Sequence, residues 1–156
     1  MPLYRDATLA DCEAMAPRLR EADRQELKAF DGSEPLAALV DSFKASIICR
    51  AIDHGGEPIA IYGVAPYDPE CSDCTVGVPW MLATDELKTH ATWFLRTCKE
   101  ELVKIQQPYA VLQNFVDVRN QLHIQWVRWC GFTLGEKYPR NGTHFQHIMR
   151  LRECVP

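Results

Sequence analysis

Asp117, Asn120 and His123 follow one another at intervals of three residues inside the stretch Tyr109–Phe132, YAVLQNFVDVRNQLHIQWVRWCGF. An imidazole can take up a proton near neutral pH. Short carboxylate and carboxamide side chains can satisfy helix N–H groups that have no partner. Residues of these types matter most where a strand gives way to a helix, and the surrounding pattern places them there. Tyr109–Val118 is short, β-branched and aromatic, as a buried strand is. After it the period changes: Leu122, Trp126 and Trp129 fall on one helical face, flanked by Ile124 and Val127, and Gly131 closes the helix. A strand that feeds a helix through a polar junction is the edge of an α/β site. The ordinary alternative for His123 is a partly exposed imidazole at a helix start, and for Asn120 a helix cap.

Cysteine chemistry is the other candidate. The chain has seven cysteines, an odd number, and no secretory leader opens it, so free thiols are expected. Cys71 and Cys74 form a Cys-x-x-Cys, but a zinc ribbon needs a second pair, and His54 and His90 are poorly spaced to supply it. A thioredoxin-type pair would open a helix after a strand, whereas this one lies between two strands. A turn with two incidental thiols is the expectation, with no metal site. Trp80, Trp93, Trp126 and Trp129 mark core or a partner surface. For Trp129, beside Arg128, both readings stand.

These residues need elements to position them. Leu3–Ala7 is a short strand, and Thr8 with Asp11 starts a helix that breaks near Ala16 because of Pro17. Helix or turn continues from Arg20 to Phe30, where Asp31-Gly32 stops it. A further helix spans Pro35–Ser46. Strands Ile47–Ile52 and Pro58–Val64 flank a hairpin turn at His54-Gly55-Gly56. A loop runs from Ala65 to Thr75, a strand to Leu82, and one helix from Thr84 to about Gln106. Thr133–Tyr138 and Thr143–Leu151 pair around Asn141-Gly142. The order is that of an α/β (α+β mixed) fold, helices covering both faces of one sheet.

Bulk properties agree. A chain of 156 residues with net charge −4 reads as one domain over 1–152 with a tail at 153–156. It shows no strong nucleic-acid signal and no apolar run of membrane-spanning length. A cytosolic protein is the simplest expectation.

Asn120, Ile124, Gly131 and Phe132 resemble the Asn-x-x-Ala-Ile-x-Leu-Tyr-x-x-x-Gly-Phe segment of the Gcn5-related N-acetyltransferases (GNAT superfamily). His123 stands where that family has a small Ala. Val127 stands where it has the Tyr that protonates the departing coenzyme A thiolate. A narrower resemblance rests on Pro79-Trp80-Met81-Leu82-Ala83-Thr84-Asp85, Asn114-x-x-Asp117-x-x-Asn120, His123-Ile124-x-Trp126 and Gly131-Phe132. These are similar to the internal virion protein A family of short-tailed phages, from about Leu3 to Leu151 and most clearly after Val78.

The resemblance implies a mostly antiparallel sheet of about seven strands, splayed between the fourth and fifth. It implies acetyl-CoA or another acyl-CoA as acyl donor, and a small-molecule or protein amine as acceptor. Candidate bases are Asp23, Glu26 and His123, and the phenols of Tyr62 and Tyr138 are candidate acids. Backbone N–H groups of Trp80, Met81 and Leu82 would receive the oxyanion, and Asn120 the pantetheine arm. Thr84 and Lys88 would flank the pyrophosphate. That turn, Met81–Thr89, has no glycine, and Asp85 and Glu86 occupy its first helical turn. Such carboxylates stabilise a helix N-terminus by ~0.3–1 kcal/mol each and repel an anion there. An ordinary solvated helix face with i,i+4 partners is the favoured reading of Asp23 and Glu26. The narrower resemblance implies instead a non-catalytic phage protein in the host cytoplasm or the virion, with other virion or ejection proteins as partners.

Overall fold

In the computed structural model, which describes residues 1–71 and 75–153, the chain forms one seven-stranded sheet ordered β1-β2-β3-β4-β5-β7-β6. The strands are β1 (Leu3–Asp6), β2 (Ile48–His54), β3 (Glu57–Pro66), β4 (Val76–Ala83), β5 (Val111–Asp117), β6 (Thr133–Arg140) and β7 (Thr143–Leu151). Neighbours are antiparallel except β4 and β5, which run parallel. The helices are α1 (Leu9–Met15), α2 (Glu21–Phe30), α3 (Pro35–Ala45), α4 (Glu86–Thr89), α5 (Ala91–Gln106) and α6 (Gln121–Trp129).

β3 shows why both faces are covered. Its run PIAIYGV is buried throughout, and side chains alternate across a strand. Ala60, Tyr62 and Val64 join one core with Phe94, Leu102 and Trp126 of α5 and α6. Ile61 joins another with Met15, Leu19 and Leu39, beneath α1 and α3. At the start of β4, Gly77 is a packing requirement, because a Cβ there would stand 2.5 Å from Val64 Cγ1 and 2.8 Å from the Tyr109 ring.

Local chemistry accounts for the boundaries. Thr8 and Asp11 form the reciprocal cap of α1, and Pro17 diverts the chain into a 3-10 turn at Ala16–Arg18. Asn141 (φ 46°) and Gly142 (φ 85°) supply the positive angles of the last hairpin. One expectation changes: the single helix from Thr84 is two, broken at His90 (φ −110°, ψ 27°). The Thr89 hydroxyl takes the Glu86 carbonyl at 2.7 Å, so the His90 N–H turns back to Leu87 O at 3.0 Å. The Cys71-x-x-Cys74 pair lies partly outside the described residues, because only Cys71 is described, as an exposed free thiol. Of the tail, residues 154–156 also lie outside.

Candidate functional site

The site begins with a failed ladder. β4 and β5 pair only at Val76↔Val111 and Gly77↔Leu112, then diverge. The Thr84 N–H bonds Ile59 O at 2.9 Å, which fixes the phase of β4. Leu82 and Trp80 therefore turn their backbone groups to β3, while Ala83, Met81 and Pro79 turn theirs to the β5 side. Pro79 has no N–H to offer β5, so the pairing stops there. The Asn114 side chain braces the gap instead, donating to Pro79 O at 2.6 Å and accepting from the Phe115 N–H at 2.7 Å.

A cavity of about 470 Å³ threads this gap, reaching Glu26, Leu27 and Ser42 on one face of the sheet and Phe94, Cys98 and Trp126 on the other. Trp80, Met81 and Leu82 line it. By the strand phase, Met81 is the residue of the three whose amide and carbonyl face the gap. The Trp80 side chain is held by its Nε1–H on Ser46 Oγ at 2.7 Å.

At the wide end of the gap, α2 inserts a buried polar network. Asp23 Oδ2 accepts the Ala83 N–H at 3.0 Å, and the Arg20 N–H bonds Ala83 O at 2.9 Å. Arg20 reaches Asp23 Oδ1 at 3.3 Å and Asn120 Oδ1 at 3.1 Å, and the Asn120 carboxamide donates to Asp23 Oδ1 at 2.9 Å. Arg20 also lies over the Trp126 ring, 5.4 Å from its centroid. Asn120 thus stands at the start of α6 without capping it by its side chain. Burial pushes the Asp23 carboxyl above the usual range, outweighing Arg20, His123 and the hydrogen bonds it accepts.

Beside this network, Glu26 Oε2 accepts the Asp117 N–H at 2.7 Å, and Glu26 Oε1 lies 3.7 Å from His123 Nδ1. Both side chains face the cavity and are 14% exposed. Burial alone would lower the His123 imidazole, but the Glu26 and Asp23 carboxylates hold it above its ordinary value. Asp117 is kept ionised: burial opposes its charge, and Arg119 with the Thr143 hydroxyl outweighs burial.

Asp23, Glu26, His123 and Asn120 are brought together. Thr84, Lys88 and Tyr138 stand apart from the cavity. Thr84 is buried, its hydroxyl on Ile59 O at 3.1 Å. Lys88 is exposed on α4. Tyr138 is 47% exposed on β6, its ring edge-on to Phe115 and its hydroxyl 3.3 Å from Glu136. Tyr62 does line the cavity, donating to Glu101 Oε1 at 2.5 Å. Burial and that carboxylate push its phenol upward, so it holds its proton. Arg20 is the site residue that sequence reasoning passed over. Its partners are 100 residues away at Asn120 and on β4, and a lone arginine before an acidic helix reads as solvated.

An acyl-CoA tests these groups in two parts. The gap, with Met81 along its edge, suits a thin pantetheine arm. The α4–α5 turn fits a pyrophosphate less well: the Leu87, Lys88, His90 and Phe94 amides bond Thr84, Asp85, Leu87 and His90 carbonyls at 3.0–3.3 Å, so an anion there would rest on the first amides of α5, Ala91 to Trp93. Asp85 and Glu86 add two negative charges there.

No family model matches the sequence, and no curated protein matches it. Solved structures do. A GCN5-related N-acetyltransferase from Kribbella flavida superposes with TM-score 0.71 at 14% identity, covering 96% of this chain and 97% of that one. A phosphinothricin acetyltransferase of the GNAT superfamily from Sinorhizobium meliloti, solved with acetyl-CoA, gives 0.70 at 13%, covering 97% and 88%. A GNAT-family acetyltransferase from Streptococcus pneumoniae gives 0.68 at 15%, covering 98% and 100%. The chain has the fold of the GCN5-related N-acetyltransferases.

Proposed function

We propose that the chain is an N-acyltransferase-like protein that works in the gap between β4 and β5, with weak or altered activity because its donor grip is reduced. The observation that carries this reading is the Glu26–His123 pair, 3.7 Å apart and facing the cavity that threads the sheet. An acyl-CoA supplies an activated thioester carbonyl to such a site. On the protein's side, Glu26 is the group that takes a proton from an incoming ammonium or amine, and His123 balances its charge. The Met81 N–H faces the gap where an oxygen gathering negative charge would sit. Asn120 supports the arm through its neighbours, since its own polar atoms are engaged by Arg20 and Asp23. Thiol release from acetyl-CoA over a panel of primary amines tests this. Slow release that falls about 100-fold or more in Glu26→Gln is the expected result, and equal rates in both proteins would overturn it.

A second reading is favoured by Ala83, whose amide and carbonyl are both taken by the Asp23–Arg20 segment. On that reading the gap is stapled shut to transfer chemistry. The fold then serves as a non-catalytic protein packaged in, or ejected from, a short-tailed phage particle, as the internal virion protein A resemblance implies. Mass spectrometry of purified particles tests it, and absence from them contradicts it.

A further inference from the structure

His54, Glu86 and His90 come from three places in the fold: the end of β2, the start of α4 and the break between α4 and α5. His54 Nδ1 lies 2.7 Å from Glu86 Oε1. The two imidazole rings stand 4.4 Å apart, tilted by 57°, and one donor atom from each of the three residues lies within 4.8 Å of the others. A hydrogen-bonded His–Glu pair has no need of a second imidazole; a divalent ion does.

We propose that His54, Glu86 and His90 form a binding site for one borderline divalent transition ion of the Zn²⁺ class, with at least one position open to water. Two neutral imidazoles and a carboxylate select such ions over Mg²⁺ or Ca²⁺, which take oxygen donors. Ligand atoms about 2.0–2.2 Å from a tetrahedral Zn²⁺ stand roughly 3.3–3.5 Å from one another. The approach from 4.8 Å is therefore within reach of side-chain rotation. On binding, the ion takes the His54 Nδ1 lone pair, and the proton that lay between Nδ1 and Glu86 Oε1 moves through solvent to Nε2, so the imidazole stays neutral. Arg18 lies 3.4 Å from Glu86 Oε2 and holds the second carboxylate oxygen, as outer partners of metal ligands do. His54 and Glu86 are 34% and 37% exposed, which gives an ion a path from solvent.

The other carboxylate–imidazole group, Asp23, Glu26 and His123, lacks that access: Asp23 is 2% exposed, its oxygens are held by Ala83 and Asn120, and Glu26 and His123 are 14% exposed. None of the proposed site's ligands lines the cavity, although Glu86 and His90 belong to the α4–α5 turn, so zinc binding is measured without coenzyme A present.

Chelator-treated full-length protein is titrated calorimetrically with zinc chloride, and its Co²⁺ form is examined by absorption spectroscopy. The expected result is one ion per chain and a Co²⁺ spectrum without a thiolate charge-transfer band. His54→Ala and His90→Ala should each weaken binding by about tenfold or more, since even losing a hydrogen-bond partner of a metal ligand costs that much. Cys71→Ser should leave affinity unchanged. No binding up to on the order of 100 μM free zinc, unchanged affinity in both histidine variants, or a thiolate band lost in Cys71→Ser would each overturn the proposal. Circular dichroism of the variants confirms that they fold, as substitutions at half-exposed positions should.

Discussion

Asp23 shares its two oxygens among Arg20, Asn120 and the Ala83 amide, and the residue is 2% exposed. Removing one member of such a buried pair leaves a charge unpaired, at a cost of about 3–5 kcal/mol. Arg20→Met should therefore lower unfolding free energy by that amount in urea, whereas loss of an ordinary solvated arginine costs less than about 0.5 kcal/mol. A midpoint within error of the wild type would contradict the network. Asn120 and His123 stand out in the sequence because they sit at a strand-to-helix junction. Their real partners do not, because Asp23 is 97 residues from Asn120 and only the folded sheet brings α2 to the mouth of β4. Asn120 shows the limit well: its local role as a side-chain cap is the natural expectation, and a buried guanidinium outcompetes it.

At the scale of elements, β4 owes its behaviour to one residue. Pro79 ends the ladder to β5 because it has no N–H on that edge, a signal present in the sequence but carrying meaning only once the strand's phase is known. The splay itself was expected through the family resemblance and is present in the β4–β5 pairing. The break at His90 was not expected, since the apolar stripe from Leu87 to Leu102 continues across it, and the cause is a threonine hydroxyl competing for a single carbonyl. The α4 turn gives a prediction of its own. Asp85→Asn removes one negative charge from the start of the helix, so it should destabilise the protein by no more than about 1 kcal/mol. It should also tighten coenzyme A binding several-fold at low salt. Calorimetry at two ionic strengths checks both the sign and the screening.

For the whole molecule, stability should fall on both sides of a mildly acidic optimum. His123 is held above its ordinary value, so its contribution is complete below about pH 6.5 and is lost as pH rises through its folded pKa. Asp23, raised by burial, acts in the same sense, because its charged form is the costly one. Asp11, lowered chiefly by Arg5, and Asp117 contribute above about pH 3.9 and lose that contribution as pH falls through their folded values. Urea midpoints from pH 2 to 9 should show this dome, and His123→Gln should flatten its alkaline limb; an unchanged limb would place that titration elsewhere. On the proposed function, the gap accepts a pantetheine arm while the α4–α5 turn holds a pyrophosphate weakly. Calorimetric titration with coenzyme A and with pantetheine, side by side, tests it most directly. Weak binding of both, with affinities within about threefold of each other, is the predicted result. Coenzyme A binding about a hundredfold tighter than pantetheine, or no binding of either, would contradict it.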